Sequence, residues 1–181
     1  MNFEAVIKMV LERFREQKVR CILIGGFALH ASGYSRATND IDFLVHGQDV
    51  FKVKQILGNL GYDIVHESKD VLNFIGQLKE LGGIDFILAH RKYALSMLER
   101  ARPFEILQGC MVNVAVPEDI IGLKLQAMAN DPQRKAQDMA DIQWLIHTHY
   151  KSLDVLLLRE YFSLFDRVDD LEKILEEVKN A

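Results

Sequence analysis

The chain has 181 residues, 49% of them hydrophobic, and a formal net charge of −4. That length suits one domain, or one domain with a small appendage, and it can bury a sizeable core. The acidic balance excludes a general basic field for nucleic acid or an anionic membrane, and no segment approaches the ~20 uninterrupted apolar residues of a membrane span.

The opening segment "MNFEAVIKMVLERFREQ" is charged and amphipathic, unlike a signal peptide. Phe3, Val6, Ile7, Val10, Leu11 and Phe14 recur at helical spacing, which predicts a helix over 3–17. "VRCILI" (19–24) reads as a short buried strand, broken by Gly25 and Gly26. "FALHAS" then suits a short helix ending at Gly33. "DIDFLV" (40–45) is the next strand, and residues 48–61 form a helix stopped by Gly61. Strands follow in "YDIVHE", "VLNFIG" and "IDFILA", the last entered through Gly82-Gly83. Residues 91–100 are helical, and "FEIL" and "MVNVAV" pair around Gln108-Gly109.

From Pro117 the pattern turns wholly helical. Proline suits the first turn of a helix over 117–130, with Glu118 and Asp119 near its positive end. Further helices are expected over 133–149, 152–164 and 168–179, with Phe162, Leu164 and Phe165 in a core. The plan is an α/β part (1–116) and a helical C-terminal region (117–181) packed on it. Cys21 and Cys110 lie far apart in apolar runs, with no metal-binding spacing, and read as reduced core thiols. A soluble, cytoplasmic protein is expected.

The chemistry concentrates in "GGFALHASGYSRATNDIDFLV" (25–45). Side chains alternate along a strand, so Asp40 and Asp42 share a face while Ile41 points away. Their Cα atoms lie roughly 6.5 Å apart. Two carboxylates so close repel, and burying them unpaired is costly. A divalent cation resolves the conflict, and Mg²⁺ takes one or two carboxylates together with substrate phosphates. Asp85, also near the start of an apolar strand, is the candidate third ligand, provided its strand lies beside that of Asp40 and Asp42. Gly25-Gly26, between a strand and a helix, lets backbone N–H groups approach an anion. Neither a Walker A motif nor GxGxxG is present.

Gly25-Gly26, Gly33, Arg36, Thr38 and the "DID" at 40–42 together resemble the active-site signature of the DNA polymerase β-like nucleotidyltransferase superfamily. Within it the pattern is most similar to the minimal, bacterial AbiEii/AbiGii-toxin-like group. The stretch 118–145 resembles that family's helical segment, with Lys124, Lys135, Asp138 and Asp141 at matching positions. The resemblance implies an α/β (α+β) nucleotidyltransferase-like fold, a mixed β-sheet flanked by helices with a helical C-terminal bundle. It implies transfer of a nucleoside monophosphate from NTP to an acceptor hydroxyl on a small molecule, a tRNA end or a protein. The implied site has Asp40, Asp42 and Asp85 as catalytic residues and ligands of Mg²⁺ or Mn²⁺. Gly25, Gly26, Arg36, Thr38 and Lys124 would bind nucleotide. Glycine at 26, where many relatives carry serine, leaves more to backbone contacts.

Simpler roles stand beside these. Arg36 and Thr38 equally suit local loop hydrogen bonds, and Lys124, between Leu123 and Leu125, either touches a triphosphate or snorkels to water. Asp138 and Asp141, three apart on one helical face, suit a structural network with Arg134 or Lys135. His30 packs or faces solvent, and His147 and His149 lie on different helix faces, which excludes a metal pair. The rival function is a non-catalytic nucleotide- or partner-binding module, such as the toxin-like half of a pair with an antitoxin partner. A third is a metal-dependent phosphohydrolase with water as acceptor. Extended nucleic acid is disfavoured as a partner, because it would gain from many cationic contacts that an acidic chain lacks.

Overall fold

The computed structural model describes residues 2–34, 38 and 40–180. The chain divides into two compact units, Met1–Val116 and Pro117–Ala181.

The first unit is built on a seven-stranded mixed sheet in the order β3-β4-β5-β2-β1-β7-β6. Its strands are β1 (Cys21–Leu23), β2 (Asp40–His46), β3 (Tyr62–Glu67), β4 (Val71–Gly76), β5 (Gly83–Ala89), β6 (Arg102–Leu107) and β7 (Cys110–Val114). The helices are α1 (Phe3–Glu16), α2 (Gly25–Ala31), α3 (Val50–Asn59) and α4 (Lys92–Arg100). β2 occupies the centre, parallel to β5 on one side and antiparallel to β1 on the other. β3, β4 and β5 form an antiparallel run, and β6-β7 is an antiparallel hairpin joined to β1 by a parallel pairing. The strand read over 19–24 is shorter than its apolar run, because Ile24 already acts as the N-cap of α2.

The core explains why one sheet face is closed. The Asn2 side chain caps α1 by accepting from the Ala5 N–H, and α1 buries Val6, Ile7, Val10, Leu11 and Phe14. Phe43 and Phe86 are register partners on β2 and β5, stacked at 5.6 Å between ring centroids. Phe14 meets Phe43 edge-on at 5.7 Å, and Phe74 of β4 does the same to Phe86. Aromatic pairs of this geometry add about 0.5–1.5 kcal/mol beyond area burial. Phe43 and Phe86 each follow an aspartate. The aromatic cluster and α1 therefore occupy one face of the sheet, and Asp42 and Asp85 face the other.

The second unit is helical: α5 (Pro117–Asn130), α6 (Lys135–His149), α7 (Val155–Ser163) and α8 (Val168–Lys179). Ile120, Ile121, Leu125, Ile142, Leu145, Ile146, Leu158, Phe162 and Leu171 fill its interior. Glu118 and Asp119 do more than favour the helix dipole. Glu118 accepts the Asp154 N–H at 2.7 Å, and the fully buried Asp119 accepts the Tyr161 hydroxyl at 2.7 Å. One core expectation fails: Leu164 follows the end of α7 and is 50% exposed, while Phe162 alone of its group is fully buried. No helix of the described residues is long and apolar enough to cross a membrane.

Candidate active site

β2 and β5 run in parallel register, Asp40 opposite Gly83 and Asp42 opposite Asp85. Register partners on adjacent strands share a face, about 4.8 Å apart. The two strands thus bring Asp42 and Asp85 side by side, with Asp40 two residues along on the same face. The adjacency of strands that the sequence left open is present. Asp42 and Asp85 are half-buried and Asp40 is exposed.

Two glycines make room for these carboxylates. Gly25 opens α2 with φ +63°, a backbone conformation that side chains other than glycine's rarely adopt. A side chain there would collide with the Asp42 carboxylate. Across the sheet, a Cβ on Gly83 would sit 2.6 Å from Asp40 Oδ1. Gly26 plays a different part: its bare Cα packs on Thr38, whose Cβ would stand 2.7 Å from an added methyl. The buried Gly26 therefore also serves packing, beyond the anion approach its position suggests. Thr38 Oγ1 donates to the Asp40 carbonyl at 3.0 Å, at the start of β2. Arg36 lies outside the described residues.

Asp85 has a further neighbour that its motif does not announce. Asn73 of β4 is its register partner and donates Nδ2–H to Asp85 Oδ1 at 2.5 Å. Burial pushes the Asp85 carboxyl above the usual carboxylate range; the Asn73 amide pulls it back, and the charge of Asp40 pushes it up again. Carboxylates set side by side on one sheet face mark a place where a cation is favoured. The donors are all hard oxygens, the set that Mg²⁺ and Mn²⁺ take. Among the described residues no three His, Cys, Asp or Glu side chains form a ready-made metal cage. Mg²⁺ does not need one, since it completes its shell with waters and substrate phosphates. The residues present fit such an ion.

Lys124 has another setting within the helical unit. Its ammonium lies 2.8 Å from Asp138 Oδ1 and 2.5 Å from Asp141 Oδ2, with the lysine side chain 8% exposed. Arg134 Nε adds a contact to Asp138 at 3.2 Å. The network expected of Asp138 and Asp141 exists, with Arg134 in it as expected and Lys124, rather than Lys135, as the cation shared by both aspartates. Neither snorkelling nor a phosphate is needed to satisfy that ammonium. The sequence signal for this was present: an alkyl-flanked lysine and two aspartates on one face of a second helix. The signals for Asn73 and Gly83 were weaker, one polar residue inside "VLNFIG" and one glycine before a strand.

Comparison with known proteins agrees with this architecture. The antibiotic-resistance factor ANT(2'')-Ia, in complex with adenylyl-2''-tobramycin, superposes with a TM-score of 0.69 at 16% identity, over 91% of this chain and 99% of that one. The lincosamide antibiotic adenylyltransferase LnuA, lincomycin-bound, gives 0.57 at 19% identity over 78% and 95%. An antigenic nucleotidyltransferase-like protein from Paracoccidioides brasiliensis gives 0.58 at 15% identity over 97% and 92%. At such identities the likeness establishes the fold alone. No curated protein matches the sequence significantly. A family model does, over residues 2–161. It names nucleotidyltransferases at large and not the toxin-like group within them. By that match, the chain belongs to the uncharacterised nucleotidyltransferase family.

Proposed function

We propose that this protein transfers a nucleoside monophosphate, AMP from ATP in the first instance, to a hydroxyl of a small molecule in the cytoplasm, with release of pyrophosphate. The observation that carries the reading is the parallel register that sets Asp42 beside Asp85, with Asp40 on the same face. The preference for ATP and a small acceptor is supported by the adenylyltransferases of like fold. The net charge of −4 supports it over a long nucleic acid.

Asp40 and Asp42, joined by Asp85, would hold Mg²⁺ or Mn²⁺, which when bound neutralises phosphate charge and stabilises the attacking and leaving oxygens. The backbone N–H groups at Gly25-Gly26 would face the triphosphate, with Thr38, hydrogen-bonded to the Asp40 carbonyl, packed against Gly26. Arg36 belongs to the same proposal on its sequence position. Asp85 would take the proton of the acceptor hydroxyl on Oδ2, since Oδ1 already accepts from Asn73. The acceptor oxygen then bonds to the α-phosphorus, the bond from that phosphorus to the bridging oxygen breaks, and pyrophosphate leaves with the electron pair. Lys124 is left out of the nucleotide contacts, because two carboxylates of its own unit already match its charge. The AbiEii/AbiGii-like affinity is supported by the pattern of residues 25–42, and an antitoxin partner would follow only from that narrower kinship.

The test incubates α-labelled NTPs with cell extract, comparing wild type with Asp40→Ala/Asp42→Ala. Label should appear on an acceptor with wild type and Mg²⁺, and disappear with the double variant. NTP binding without any labelled acceptor would overturn transfer. Free NMP in its place would indicate hydrolysis with water as acceptor.

A further inference from the structure

Asn73 sits inside "VLNFIG", between the buried Leu72 and Phe74. Asparagine is depleted in strands, so its presence on an interior strand calls for a reason. The register supplies one. Asn73, Asp85 and Asp42 form a row across β4, β5 and β2, all on the face opposite the aromatic cluster. The amide can donate only through Nδ2, and that group meets Asp85 Oδ1 at 2.5 Å. The terminal torsion of an aspartate is broad and roughly two-fold. A single fixed donor therefore decides which oxygen faces the protein and which is left over.

We propose that Asn73 is a positioning residue, holding Asp85 by Oδ1 so that Oδ2 stays available to metal and acceptor hydroxyl. The inference rests on the proposed function, since it assigns Asn73 its role through Asp85. Partners that orient a metal-binding carboxylate are typically worth about 10–100-fold in affinity or activity.

The test needs no acceptor. Mn²⁺ is titrated by electron paramagnetic resonance into the full chain with a non-hydrolysable ATP analogue, using wild type, Asn73→Leu, Asp85→Asn and the double variant. Thermal melts accompany each protein. Asn73→Leu should weaken Mn²⁺ binding about tenfold, Asp85→Asn more, and the double variant no further than Asp85→Asn alone. That non-additivity is what a merely structural asparagine would not give. Asn73→Val, also without a donor but strand-favouring, replaces Asn73→Leu if the latter fails to fold. Wild-type Mn²⁺ affinity in the Asn73 variant, or additive losses in the double variant, would overturn the inference while leaving the proposed function standing. Wild-type affinity in Asp85→Asn would overturn both.

Discussion

Two groups of aspartates in this chain answer the same electrostatic problem in opposite ways. In the helical unit, Asp138 and Asp141 are buried to 2% and 1% side-chain exposure and share the Lys124 ammonium. On the sheet, Asp40, Asp42 and Asp85 crowd one face, and the partner that Asp85 meets is a neutral amide. A cluster completed by its own lysine is finished at folding. A cluster that sets carboxylates side by side on one face, one of them raised by burial and then by its neighbour's charge, is improved by a cation from outside. The helical cluster is therefore read as architecture and the sheet cluster as a site, although both contain a pair of aspartates closely spaced in sequence.

That contrast breaks most sharply on paired substitutions. Asp42→Ala should abolish labelled transfer while costing less stability than a change in the buried helical cluster. Lys124→Ala should do the reverse. Removing one partner of a buried ion cluster costs about 3–5 kcal/mol, visible as a lower urea midpoint. A Lys124 variant that folds normally but loses NTP affinity would return that lysine to the nucleotide site.

The glycines sharpen the same division at smaller magnitude. Gly25→Ala meets both a left-handed backbone and the Asp42 side chain down to its Cβ. It should lose activity and about 1–3 kcal/mol of stability together. Gly83→Ala clashes with the carboxylate end of Asp40 and otherwise makes an ordinary contact with the Phe74 carbonyl. It should displace that group, cutting transfer about 10–100-fold, with the melting temperature nearly unchanged. Equal stability losses in the two variants would show that Gly83 serves the strand rather than the site.

Asp49 gives an intermediate case and the smallest effect. It is buried, yet its cations Arg20 and Lys52 are partly exposed. Burial pushes its carboxyl up, but hydrogen bonds from the Arg20 side chain and backbone and from Lys52 outweigh it and hold the pKa at about 2. A pKa depressed from 3.8 adds stability above pH 4 that is lost as pH falls toward 2. Urea midpoints should fall across that window in wild type and fall less in Asp49→Asn. Identical profiles would remove Asp49 from the account.

Much of this was written locally in the sequence. Alternation placed Asp40 and Asp42 on one face, Gln108-Gly109 marked the β6-β7 hairpin, and Pro117 marked the first turn of α5. What could not be read depends on contacts between distant segments. Nothing near Asp85 says that its strand runs parallel to β2 in the register that faces it with Asp42. Asn73 was hidden for the same reason, because its partner is a strand away. For Lys124 the sequence offers only solvent or an anion, because its two counter-charges lie on the next helix. Leu164 failed differently: an apolar residue just past a helix end has no face to follow.

The parallel pairing of β2 with β5 also governs when catalytic competence can arise. About forty residues separate Asp42 from Asp85, and the β3-β4 hairpin lies between them, so the two meet only after a long loop has closed. Local hairpins and helices can form well before that event. During refolding, the proposed metal-dependent nucleotide binding should return with the slowest tertiary phase, making it a sensor of the completed sheet.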